Sequence, residues 1–333
     1  MISRRPTIIC IGNAITDVIS FSNDEFLIEN GMIKNAMNLI DYKRSEQIDT
    51  FISEPSIVAG GSAANTAACL SKFNCFSNFI GRVGEDEYGR NYEKNLAEQL
   101  VETRLVTDMN FPTARSYIFV TPDKNRTMNT YLGASINMHP SDISEELIKS
   151  ADLVYVEGYL YDAPKGPECW NKVGELSKKY GTKIAISLSD SWCVDRHREK
   201  LKNFIKNYAD IVVCNNEELS LMFGGSSDNA ISQLQKIVRA GSVTDGKNGA
   251  LAFYGSEIKK IEALNKDNII DTTGAGDFYA SGYIFGQLLT SDLSVSLELG
   301  SMLAAGAIKQ IGASPNDDIT RPVFNKYPEF ALQ

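Results

Sequence analysis

Asp271-Thr272-Thr273-Gly274-Ala275-Gly276-Asp277 runs straight into the apolar stretch Phe278-Tyr-Ala-Ser-Gly-Tyr-Ile-Phe-Gly-Gln-Leu-Leu289. Residues 278, 281, 282, 285, 288 and 289 recur at helical spacing, so a helix is expected to start near Gly274. A Gly-Ala-Gly turn at a helix start leaves backbone N–H groups free to bind phosphate or to meet charge on transferring oxygens. Asp277 then lies in the first turn, where the helix dipole favours its ionised form and where it could take a proton from a hydroxyl. The plain alternative is a glycine turn with a capping aspartate, but the full D-T-x-G-A-G-D run before an apolar helix outweighs it.

Upstream, short apolar strand-like runs alternate with helices. The runs are Thr7–Gly12, Phe76–Val83, Leu153–Val156, Lys183–Leu188, Ile211–Cys214 and Gly249–Tyr254. Helices are expected at Ser62–Phe73, Tyr88–Leu100, Pro167–Tyr180, Arg196–Asn207, Glu217–Phe223, Ile231–Arg239 and Ser294–Ile311. This order predicts an α/β fold, a doubly wound and mostly parallel sheet with helices on both faces. Residues 14–55 and 105–133 break the alternation, with a hairpin at 115–120 and 127–132. They are expected to form a small β-sheet lid, leaving 1–13, 56–104 and 134–333 as the large domain.

Of three further segments, those after the runs ending at Gly12 and Cys214 fall where open α/β sheets place ligands, beyond strand carboxyl ends. Gly12-Asn13…Asp17 follows the first strand, and Asp17 could bind hydroxyls or simply hold a turn. Gly60-Gly61…Asn65 opens a helix, either for close ligand approach or for helix–sheet packing. Asn215-Asn216-Glu217-Glu218 could order magnesium waters or cap a helix. Arg126 lies in the hairpin turn, where a lone arginine is usually solvated.

Composition closes off other classes. The 333 residues carry 33 Lys+Arg against 42 Asp+Glu, a net charge of −9, which disfavours nucleic acid but not a small anion met by a local site. No apolar run is long enough to span a membrane. Ile8–Ile11 is too short for a signal peptide core, so a cytoplasmic protein is expected. The six cysteines form no C-x-x-C pair and are expected to be buried thiols. Two histidines and no G-x-S-x-G elbow leave little room for a histidine metal site or a hydrolase triad. Gly241–Asn248 nearly matches a Walker A loop, but Asn248 replaces the hydroxyl and a strand rather than a helix follows. Ile11-Gly12-Asn13-Ala14 lacks the dinucleotide fingerprint, which removes a dehydrogenase.

With Gly60-Gly61…Asn65, Asn215-x-x-Glu218 and Asp271–Asp277 in this order, the chain resembles the ribokinase-like (PfkB) carbohydrate kinases over nearly its whole length. Gly12-Asn13…Asp17, Asn125-Arg126-Thr127, Thr130–Ser135 and Lys309–Ala313 look most like the adenosine kinase branch. One departure is Cys214, where many members have proline.

The resemblance implies an ATP-dependent kinase acting on a primary hydroxyl, adenosine to AMP, with ribose, fructose or another nucleoside as alternative acceptors. A non-catalytic nucleotide-binding protein is the third reading. The resemblance implies Asp277 as base, with Gly274, Ala275 and Gly276 as anion hole. Arg126 would reach the phosphates. Asn13, Asp17, Gly61 and Asn65 would hold the acceptor, and Thr244, Gly246 and Gly249 the nucleotide. Asn215 and Glu218 would order magnesium through water. ATP and magnesium are the implied cofactors, with a monovalent cation as a further candidate. The partner is a small nucleoside or sugar, with no nucleic acid or membrane, and the protein is a monomer or a homodimer.

Overall fold

The computed structural model describes residues 4–73, 75–264, 269–290 and 292–331. Its strands in chain order are β1 (Thr7–Ile11), β2 (Ile15–Phe21), β3 (Met37–Leu39), β4 (Ser56–Gly60), β5 (Phe76–Gly84), β6 (Glu102–Asp108) and β7 (Ala114–Val120). They continue as β8 (Arg126–Tyr131), β9 (Leu153–Glu157), β10 (Lys183–Ser187), β11 (Ile211–Asn215), β12 (Ala240–Thr244), β13 (Ala250–Tyr254) and β14 (Glu257–Ile261). They form two sheets, ordered β14-β13-β12-β11-β10-β9-β1-β5-β6 and β3-β8-β7-β2-β4.

The large sheet is parallel from β6 through β12, and only β13 and β14 run antiparallel. Ile8–Ile11, Leu153–Val156 and Val212 are at or near zero exposure, because helices cover both faces. One face packs Phe73, Phe285 and Tyr283; the other packs Trp170 and Phe204. The chain runs outward from β1 through β5 to β6, then returns to β9 and proceeds the other way. The order therefore reverses between β1 and β9, which opens a crevice at their carboxyl ends.

The helix Ala275–Leu289 is buried on every side from Phe278 to Gln287 rather than along one stripe. It lies between the helices Leu293–Ala307 and Ser62–Ser71, which explains an apolar content beyond an amphipathic pattern.

The small sheet differs from the sequence expectation at two boundaries. Ser56–Gly60 pairs with β2 and belongs to the small sheet, whereas Leu105–Asp108 continues β6 of the large one. β4 is short and leads directly into a helix, and β6 is a polar-interrupted edge strand, so neither shows which sheet it joins. Two helices, Asp24–Glu29 and Tyr42–Phe51, cover the outer face around Val18, Tyr117 and Phe119. The short β12 and the charged β14 also lacked a strand pattern. The near-match to Walker A is β12, a single 3-10 turn at Gly246–Asn248, and β13, which excludes a P-loop helix. No helix among the described residues is long and apolar enough to cross a membrane.

Candidate active site

Asp277 sits in the first turn of the helix Ala275–Leu289, capped by Gly274 at φ +74°. A Cβ there would lie 2.6 Å from that of Ala313, so both the left-handed backbone and the tight contact require glycine. Ser62 Oγ donates to Asp277 Oδ1 at 2.6 Å and Asn65 Nδ2 to Oδ2 at 2.8 Å. Burial pushes the Asp277 carboxyl up to about 6, and these two donors hold it back from going higher. Each carboxylate oxygen keeps a spare lone pair for a proton. Gly276 is exposed at the mouth, while the Ala275 amide donates to Thr272 O at 3.2 Å and so spends itself within the turn.

Ser62 and Asn65 share one face of the helix Ser62–Ser71. Gly61 precedes it at φ +94°, where a Cβ would lie 2.2 Å from the Asn13 carbonyl oxygen. The loops after β1 and β4 therefore touch. Asn13 is 6% exposed and its Oδ1 is buried without a partner. Asp17 lies on β2, where burial pushes it up to about 7, opposed by Arg126 and reinforced by Asp277. Val18 and its partner Tyr117 pack under the covering helices, so the alternate residue Asp17 lies on the crevice side of the small sheet. Glu157 ends β9 at the reversal point. Its Oε1 accepts from Asn13 N and its Oε2 from Ala63 N, both at 2.7 Å.

Arg126 begins β8 and is not solvated. Its guanidinium donates to Thr273 Oγ1 at 2.7 Å and forms an ion pair with Asp271 at 2.5 Å. It thus ties the small sheet to the glycine turn. Asp271 also accepts from Thr273 N and from Gly312 N.

Thr244, Gly246 and Gly249 line a cavity of about 360 Å³ whose other wall includes Thr272, Ala275, Gly276 and Tyr279. The cavity therefore ends at the glycine turn. Asn215 and Glu218 form a reciprocal capping box: Glu218 N donates to Asn215 Oδ1 at 2.8 Å, and Asn215 N and Nδ2 donate to the Glu218 carboxylate. Burial pushes Glu218 up to about 7. Among the described residues no group of three metal-ligating side chains exists.

The sequence-derived residues thus fall around one crevice, from the Thr244–Gly249 cavity past Asp277 to Asn13 and Asp17, with Asn215 and Glu218 engaged with each other. Sequence reading missed Ser62, Glu157 and the Asp271–Arg126 pair. Ser62 stood inside a quoted motif, whereas Glu157 offers no signal beyond a single charge after an apolar strand.

A doubly wound sheet with a small sheet over its crevice, and an aspartate beside a glycine turn, define a ribokinase-like small-molecule kinase. Residues 31–319 match the pfkB family of carbohydrate kinases, and the chain belongs to that family. It is 34% identical to a probable sugar kinase from Rhizobium etli, covering 98% of this chain and 99% of that one, with TM-score 0.89. It is 33% identical to the adenosine kinase of Sinorhizobium meliloti, covering 97% and 100%, with TM-score 0.88. Curated relatives include the adenosine kinase of Saccharomyces cerevisiae, 24% identical over 94% of this chain and 98% of that one. The 5-dehydro-2-deoxygluconokinase of Bacillus subtilis is 25% identical over 84% and 88%.

Proposed function

We propose that this protein transfers the γ-phosphoryl of ATP to a primary hydroxyl of a nucleoside, with adenosine as acceptor and AMP as product. The observation that carries the reading is the position of Asp277. It lies between a cavity ending at a glycine turn and a polar crevice lined by Asn13 and Asp17. Asp277 takes the hydroxyl proton as the acceptor oxygen attacks the γ-phosphorus and ADP leaves. The Gly274 and Gly276 amides at the helix start meet the charge on the transferred oxygens, with Ala275 shaping their turn. Arg126, already held at that turn, adds a positive charge. Asn13, Asp17, Gly61 and Asn65 hold the ribose, and Thr244, Gly246 and Gly249 flank the nucleotide.

Magnesium is implied by the family, and it would supply charge neutralisation on the phosphates. Among the described residues no group of three metal-ligating side chains furnishes its inner coordination sphere. Asn215 and Glu218 fit an outer role through water.

The small sheet favours a nucleoside over a bare sugar. Registered pairing places Leu39, Thr130, Ser116, Asp17 and Val58 in one row. Met37, Met128, Ile118 and Ile19 stand in the next row on the same face. Met37 is 49% and Leu39 63% exposed on this crevice-facing side. Such a surface suits a flat apolar base above a ribose held by Asp17. Six buried free thiols accord with a reducing, cytosolic setting.

A coupled ADP-release screen over adenosine, inosine, ribose and fructose tests the assignment. Adenosine should give the highest kcat/KM, and a clear preference for ribose or fructose would move the protein to the sugar kinases.

A further inference from the structure

Glu157 is a fully enclosed carboxylate, 1% exposed, to which the reaction itself assigns nothing. It lies at the carboxyl end of β9, beside the strand reversal. Each oxygen is taken by a backbone amide from a different acceptor-facing segment: Asn13 after β1, and Ala63 in the first turn of the Ser62–Ser71 helix. Both contacts are 2.7 Å, short for N–H···O and expected of a charged acceptor. The surroundings are fitted to the carboxylate, since a Cβ on Gly12 would lie 2.4 Å from Glu157 Cδ. The two clamped segments carry Asn13, with its buried unpartnered Oδ1, and Ser62 and Asn65, which hold Asp277.

We infer that Glu157 is a positioning residue that clamps the Asn13 loop to the Ser62–Ser71 helix and so sets the acceptor site against Asp277. The inference rests on the phosphotransferase reading. A carboxylate is suited to this task because it offers two acceptors and no donor. A glutamine in its place satisfies one amide and turns its own N–H₂ toward the other, which separates the two loops without emptying the space. The Thr244–Gly249 cavity is built on other strands and is not reached by this clamp.

The test is steady-state kinetics of Glu157→Gln with acceptor and ATP varied separately. The acceptor kcat/KM should fall about tenfold or more while the ATP KM stays within about twofold, since only one side of the crevice is disturbed. A double-mutant cycle with Asn13→Ala separates positioning from general damage. If Glu157 acts through the Asn13 loop, the double variant is less impaired than the product of the two single effects. Should Glu157→Gln fail to fold, Glu157→Asp, which keeps the charge but cannot span both amides, must show the same split between acceptor and ATP. Unchanged acceptor kinetics, a parallel rise in the ATP KM, or strictly multiplicative effects overturn the inference. Absence of turnover by the wild-type protein on every acceptor would instead overturn the phosphotransferase reading.

Discussion

At the scale of single residues, the proposed chemistry rests on how Asp277 is held. Ser62 and Asn65 keep it ionised and aimed, while burial raises its basicity. Asp277→Asn keeps the shape and both hydrogen-bonding positions but removes the base. Turnover should fall about 10²–10⁴-fold with ATP binding retained, measurable by stopped assay and by calorimetric titration. Because the base acts when deprotonated, kcat should decline as pH drops through about 6. The profile of kcat/KM for the acceptor should carry a second ionisation near 7 from Asp17, which is absent in Asp17→Asn. A kcat flat from pH 5 to 8 would remove Asp277 as the base.

At the scale of elements, the Ala275–Leu289 helix start and the β8 strand act as a pair. Gly274→Ala forces a left-handed alanine, costing about 1–2 kcal/mol, and drives its Cβ into Ala313. Both the thermal midpoint and kcat should fall, whereas a purely mobile turn would leave kcat alone. Arg126→Ala removes the charge proposed to face the transferred group, so kcat should drop about 10²-fold with a smaller change in acceptor KM. An effect confined to KM would make Arg126 a structural tie between the sheets.

The helix start was legible because its glycines, its aspartate and the apolar run behind it are contiguous. The same holds for Gly60-Gly61…Asn65, where a turn and a helix follow in sequence. By its own pattern Arg126 reads as a turn arginine, and only the resemblance gives it a phosphate role, because its partner Asp271 is brought near by the fold alone. Glu157 was silent for a related reason: one charge after an apolar strand carries no periodicity, and its role exists only where three segments converge. The expected small-sheet bounds at residues 56 and 105 differ from the observed ones because strand pairing is decided by distant partners rather than by local pattern.

At the scale of the whole molecule, the crevice concentrates carboxyls that burial has raised. Asp17, Glu157 and Glu218 are pushed to about 7 and Asp277 to about 6. The folded chain thus holds these protons more tightly than the unfolded chain, whose carboxyls titrate near 4. This contribution to stability is full below about pH 4 and is lost as pH rises through 6 to 7. Asp108, Asp162 and Glu298, lowered by their partners, act in the opposite sense at lower pH. The thermal midpoint of the ligand-free protein should therefore decline between pH 5 and 7.5. The decline should be shallower in Asp17→Asn, and an unchanged slope would show that the crevice carboxyls are not raised.

The two sheets are joined by four stretches of backbone: residues 12–14, Gly61, residues 109–113 and Leu132. Two of the four, 12–14 and Gly61, also carry the proposed acceptor site. If the small sheet swings outward, backbone must rotate at those same places, which would loosen the proposed acceptor site. On the proposed reading, product release and loosening of the acceptor site would be coupled through the same backbone.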